Sequence, residues 1–249
     1  MNNFIYLYNG TFLNLLSVIE YLISNKIKPI NIKSEHNYEE NLFDKTFKLD
    51  LKDCEIFIEK IVRDASSYVL KLIFYVFLSN EKNKELIIYY FLLNAFKYKG
   101  KVIYLRKLKC VNETLRISKY VSRESHKLKG FLRFKEMENG FLYAEVEPTN
   151  NIIFLLAKHF SVRLKTENFI IKDVRRNILC VYNKKEYVFM DGNSLNINMS
   201  FSKEEEKYQS LWKNFYKKIS IEMRENKRCR MNFMPKKYWK YIIEMDGEV

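Results

Sequence analysis

Apolar residues at Phe12, Leu15, Leu16, Ile19, Leu22 and Ile23 recur at the spacing of one helix face, and Thr11 stands where a helix is capped. The short run 4–8 before them predicts a strand, with Asn9-Gly10 as the turn between. Residues 26–50 lose the period. They are polar and contain Pro29 and the acidic cluster Glu35, Glu39 and Glu40, so loops with one short extended piece are expected. From Asp53 a helical period returns through Ile56, Phe57, Lys60 and Ile61, then over 68–78 and again over 83–98, with Gly100 as the expected C′ residue. The last two runs are apolar on most sides, which predicts buried helices. A further helix is expected over 102–128, broken near 110–112, with Lys and Arg on its outer face.

The pattern then changes. Residues 131–136 alternate as a strand, Asn139-Gly140 is a hairpin signal, and 141–147 returns until Pro148 stops it. Ile152, Ile153, Leu155, Leu156, Phe160 and Leu164 predict a helix capped by Thr149 or Asn150. Three short strands follow at 168–174, 178–182 and 187–190. A long amphipathic helix over 203–224 opens with three glutamates, the sign a helix start prefers. After a basic loop, Pro235 is placed to begin a last helix. The expected class is α+β: a helical N-terminal region over 1–100 with a short initial strand, and a basic region over 101–249 built on an antiparallel sheet flanked by helices.

Charge sharpens the division. Residues 1–96 carry 11 basic and 12 acidic side chains, whereas 97–249 carry 33 and 18, a net of +15. AT-rich coding also enriches Lys, but it would do so in both halves. A one-sided basic field predicts a polyanionic partner, nucleic acid above all. Cys54, Cys110, Cys180 and Cys229 stand far apart, so no disulfide framework or cysteine-rich metal centre is expected, and reduced thiols fit a cytoplasmic protein. The opening residues lack the basic region and apolar stretch of a signal peptide, so none is expected, and the longest apolar run, 86–93, is too short to span a bilayer. No phosphate-cradling glycine loop appears, and three histidines without HxH or HExxH make a metal unexpected, so no cofactor is anticipated.

The run from Val121 to Phe134, with Arg123-Glu124-Ser125-His126 near its head, resembles the opening signature of a bacterial family assigned to DNA metabolism and catalogued as a domain of unknown function. Glu147-Pro148, His159-Phe160 with Arg163, Leu211-Trp212, Phe215-Tyr216 and the run from Phe233 to Trp239 are similar to its later signatures in the same order, and Tyr6 to Phe12 to its first motif. The resemblance implies a DNA repair or modification context. Such proteins are encoded beside a radical-SAM protein, and in some lineages the domain is fused to a uracil-DNA glycosylase. The chain has no CxxxCxxC, so radical-SAM chemistry would belong to the partner. Asn9 stands where the family has Asp, which removes a carboxylate there, and Asp173 stands in a Lys172-Asp173-Val174 element that departs from the fused versions.

On a helix, Arg123, His126 and Lys127 share one face, and Lys129 and Arg133 follow. Such a cluster suits phosphate oxygens; it equally suits a solvated helix end in which Glu124 pairs with Lys127 or Arg123. His159 is either a hydrogen-bonded imidazole on an apolar helix or a pocket residue with Arg163 one turn on. Tyr208, Leu211, Trp212, Phe215, Ile219 and Met223 have the spacing of a core stripe, whereas Tyr238 and Trp239, among Lys236, Lys237 and Lys240, are candidates for stacking on unpaired bases. The leading expectation is a DNA-binding protein acting with a radical-SAM partner. Arg123, Lys129, Arg133 and Arg163, with Lys236 and Lys237, would hold phosphate. Glu124, His126 and His159 would line any catalytic pocket. The rivals are a base-acting glycosylase or hydrolase using that Glu/His pocket, and a protein adaptor.

Overall fold

The computed structural model describes residues 4–39, 44–49, 54–194, 200–221 and 224–245. Its first strand, β1 (Ile5–Tyr8), buries Ile5, Tyr6 and Tyr8, and Gly10 then turns the chain into α1 (Phe12–Ser24). The Thr11 hydroxyl accepts from the Asn14 backbone N–H, the cap expected there. Gly10 sits at φ +88°, where a side chain is strained, and a Cβ would lie 3.0 Å from both His36 Cδ2 and Ser34 Oγ. Gly10→Ala should therefore cost about 1–3 kcal/mol of stability in a urea melt.

Residues 26–50 hold more order than their polarity suggested. Two strands, β2 (Asn31–Ser34) and β3 (Thr46–Lys48), flank β1 in a sheet of order β2-β1-β3, both parallel to it, with Ile5 opposite Asn31 on one side and Thr46 on the other. Strands of three or four residues are too short for a period to register, and every residue of β3 is exposed. Glu35 pairs with Lys48 at 2.8 Å; Glu40 lies outside the described residues.

Helices α2 (Glu55–Asp64), α3 (Ser67–Phe77) and α4 (Lys84–Tyr98) follow as the periodicity indicated, burying Phe57 and Ile61, then Val69, Leu72, Ile73 and Val76, then Ile88, Tyr89, Phe91, Leu92 and Ala95. The left-handed residue that ends α4 is Lys99 (φ 54°), not Gly100. Gly100 answers a different need: a Cβ there would stand 3.0 Å from the Ala65 carbonyl oxygen. A 3-10 segment covers Lys99–Tyr104, and α5 (Lys109–Phe131) then runs without the expected break. Cys110 to Asn112 form its first turn, with the N–H groups of Val111 and Asn112 donating to the Leu108 carbonyl. The polar residues there mark a start.

Contacts divide the chain into Met1–Ser122 and Arg123–Val249, so the boundary falls inside α5. In the second unit, β4 (Lys135–Glu136), β5 (Leu142–Val146), β6 (Phe169–Asp173), β7 (Ile178–Tyr182) and β8 (Tyr187–Asp191) form one sheet in chain order. All pairs are antiparallel except β5–β6, which α6 (Ile153–Arg163) joins by a crossover. The chain is thus α+β, with a helical N-terminal half and a mostly antiparallel C-terminal sheet flanked by helices. Phe131 ends α5 and the first strand is only two residues long. Ile152, not Thr149 or Asn150, stands at the N-cap of α6, because Asn150 is drawn to a carboxylate described below.

Ser202 caps α7 (Lys203–Ile219), which stops short of residue 224. Its apolar stripe is not core: Tyr208, Leu211, Trp212, Phe215 and Ile219 are 41–60% exposed, and Met223 lies outside the described residues. Helical spacing shows that residues share a face, not that anything covers it. The expected basic loop contains α8 (Lys227–Phe233), and the expected last helix is two 3-10 segments, Lys236–Tyr241 and Ile243–Met245.

Candidate nucleic-acid interface

The buried face of α5 enters the second unit through Glu124, Ser125 and Leu128, leaving Arg123 and His126 in solvent. Glu124 is 5% exposed, and its two oxygens accept from five donors. These are the N–H groups of Thr149 and Asn150 (both 2.9 Å), the Asn150 amide (2.6 Å), Lys237 Nζ (3.2 Å) and the Tyr238 hydroxyl (3.0 Å). Burial pushes the Glu124 carboxyl up, but the Thr149 and Asn150 N–H groups, with Lys237 and the Asn150 side chain, outweigh it and hold the group below the usual carboxylate range. A carboxylate so saturated has no lone pair to offer a substrate. The catalytic role expected of Glu124 gives way to a structural one: it ties α5 to the loop after Pro148 and to the C-terminal 3-10 segment.

That node also relocates three of the expected DNA contacts. Lys237 is spent on Glu124 and the Thr149 hydroxyl (2.9 Å), with its ammonium 4.5 Å from the Tyr238 ring centroid. Tyr238 and Trp239 are buried, and Trp239 Nε1 donates to the Met234 carbonyl at 2.8 Å. Covered rings have no free face for a base, which corrects the stacking role. Lys236 remains exposed, over the Trp239 ring at 5.6 Å.

Arg133 is likewise engaged. Its Nε and Nη2 bond the two oxygens of Glu244 (3.2 and 2.5 Å), Nη1 donates to the Gly130 carbonyl, and Trp212 Nε1 donates to the same carboxylate at 2.9 Å. Glu244 is held below the usual range: burial pushes it up, and the bonds from Arg133 and Trp212 more than reverse that.

The remaining candidates do meet. On α6, His159 lies edge-on to Phe160 with ring centroids 5.0 Å apart, and Phe160 meets Phe134, just beyond α5, at 5.1 Å. This chain of rings sets the end of α5 beside α6. Partial burial first, then repulsion from Lys129 and Arg163, lowers the affinity of His159 for a proton. Two cations therefore lie near enough to act on one imidazole. Among the described residues Arg123, Lys129 and Arg163 have no acidic partner. Among the described residues no hydrogen bond or ring contact joins His126 to His159; His126 is exposed, whereas Glu124 is buried and its oxygens are taken up by structural donors.

Sequence reasoning missed a clamp on the same loop. Asp173 is fully buried and accepts from the Arg176 N–H and guanidinium, while Arg176 also donates to the carbonyls of Pro148 (3.1 Å) and Thr149 (2.6 Å). Its only trace in the sequence is an Asp three residues before an Arg in a tight turn. Among the described residues no group of His, Cys, Asp and Glu is placed to hold a metal, and no helix is long and apolar enough to cross a membrane.

Comparison with curated proteins and with solved structures returned no match. A family model does match, from just before α4 to the last 3-10 segment, and it takes in Glu124 with its donors, Lys129, His159 and Arg163, and the Arg133–Glu244 pair. Through residues 82–244 the chain belongs to the family described as a domain of unknown function, DUF4130.

Proposed function

We propose that the second unit binds a nucleic-acid backbone, DNA in the first instance, through Lys129, His159 and Arg163, with Arg123 as a further contact. The observation that carries this reading is that, among the described residues, Lys129 and Arg163 have no acidic partner and both act on the His159 imidazole, whose proton affinity burial first and these two cations next depress. Cations that belong to structural ion pairs have carboxylates beside them, as Arg133 and Arg176 do. Phosphate oxygens are the natural complement, because they take charge-assisted bonds and impose no single sequence. Fluorescence anisotropy with labelled single- and double-stranded oligonucleotides should give affinities that fall log-linearly with salt. Salt-independent binding, or none at low ionic strength, rejects the reading.

The imidazole adds a pH signature. Free, His159 has its proton affinity depressed by burial and by Lys129 and Arg163; a bound phosphate reverses the local field and raises it. Binding then takes up a proton, so affinity should climb as pH falls from about 8 towards 6. His159→Gln should flatten that slope while leaving affinity near pH 8 little changed. On the strength of the resemblance alone, the reading includes a radical-SAM protein of DNA repair or modification as the partner supplying chemistry, and co-purification with that protein checks it.

A further inference from the structure

A second feature of this unit lies on the face of the sheet that carries Tyr143. Lys135 of β4 pairs in register with Tyr143 of β5, and Glu145 follows two residues on, so the three side chains share that face. Phe201 joins them through its bridge to Met137, and Tyr241 comes from the C-terminal 3-10 segment. Together with Arg133, Ala144 and Lys240 they line a cavity of about 230 Å³. Two of its cations are committed elsewhere, Arg133 to Glu244 and Lys240 to Glu147 at 2.5 Å. Tyr241 donates to Glu147 as well, at 3.0 Å.

The other two charges are not satisfied. Among the described residues Lys135 has no carboxylate partner and lies over the Phe201 ring at 5.6 Å. Glu145 accepts the Tyr143 hydroxyl on Oε1 at 2.7 Å and, among the described residues, has no donor on Oε2. A donor and an acceptor thus line one aromatic-walled cavity without pairing with each other. The occupant that fits must bring three things: a flat face for the rings, an acceptor for Lys135 and an N–H for Glu145. A phosphate fails on the third, since Glu145 repels it. A hydrocarbon leaves both charges unpaired.

We infer that this cavity receives a single unpaired nucleobase, with Lys135 and Glu145 reading its hydrogen-bonding edge and Phe201 and Tyr241, each with a lysine ammonium over its ring, forming part of the wall. A base within a duplex has that edge occupied, so the occupant is single-stranded or extruded. The inference rests on the nucleic-acid reading above and adds the chemical class that a second site of the same unit recognises.

The test uses the full chain, a single-stranded oligonucleotide carrying one 2-aminopurine, and an all-abasic oligonucleotide of equal length. The expected result is a change in 2-aminopurine fluorescence on binding. Glu145→Gln and Lys135→Met should each weaken the base-bearing strand about tenfold and leave the abasic strand unaffected. Glu145→Gln keeps an acceptor for the Tyr143 hydroxyl, so its fold is preserved; circular dichroism verifies this. Equal affinity for both strands with no fluorescence change, or equal losses for both in the variants, overturns the cavity and leaves backbone binding standing. Failure to bind either strand at low salt removes both.

Discussion

Glu124→Ala should destabilise the second unit by about 3–4 kcal/mol in a urea melt, the largest single-residue effect expected in this chain. The substitution removes the acceptor of the part-buried Thr149 N–H and the buried Asn150 N–H, and takes one acceptor from the Asn150 amide and one from the Tyr238 hydroxyl. Little of the loss comes from Lys237, which is half exposed, so that its ion pair is screened by water. Glu124→Gln keeps the shape and exchanges one acceptor oxygen for an NH₂ group facing donors, so it should lose about half as much. The pH sign follows from the depressed carboxyl. The contribution is complete above the unfolded-state value for Glu, near 4.5, and fades as pH falls through the lower folded-state value. A melt series down to acid pH should show the wild type losing an advantage over Glu124→Ala in that window. A variant as stable as wild type throughout would refute the node.

Replacing Lys129 and Arg163 together by Ala should weaken DNA binding roughly 50-fold near 0.1 M salt and reduce the slope of log affinity against log salt by about two. Each cation neutralises one phosphate in this arrangement, and the loss is spread evenly over DNA sequences because backbone contacts carry no base information. Charge reversal at the same two positions should abolish measurable binding. Arg133, equal to them as a candidate from the sequence, is a poor choice for this experiment: reversing it repels Glu244 and removes a buried-side ion pair, so lost binding would report lost structure. An unchanged salt slope in the double-Ala variant would move the interface elsewhere.

The same contrast shows what each level of description contains. Periodicity located α1, α3 and α4 because their apolar residues are buried at helical spacing, and it located the later strands because a hairpin glycine at φ 78° and alternating residues mark them. It foresaw only one short extended piece where β2 and β3 stand, because strands of three or four residues are held by a parallel partner distant in the chain. It misjudged α7, where spacing was right and burial wrong. The cluster around Arg123 contained both of its possible readings at once: adjacent residues of one helix turn out to serve opposite purposes, with Glu124 inward and saturated and Arg123 outward and unpaired.

By itself the sequence determined the longer helices, the α+β class and the concentration of positive charge in the second half, since these depend on local propensity and on counts that folding does not alter. Which cations remain available was decided only in three dimensions. Pairing depends on carboxylates more than a hundred residues away, as with Arg133 and Glu244 or Lys237 and Glu124, whereas among the described residues Lys129 and Arg163 act on an imidazole and pair with no acid. Charge is a property of the chain, but its neutralisation is a property of distance, and the fold sets distance.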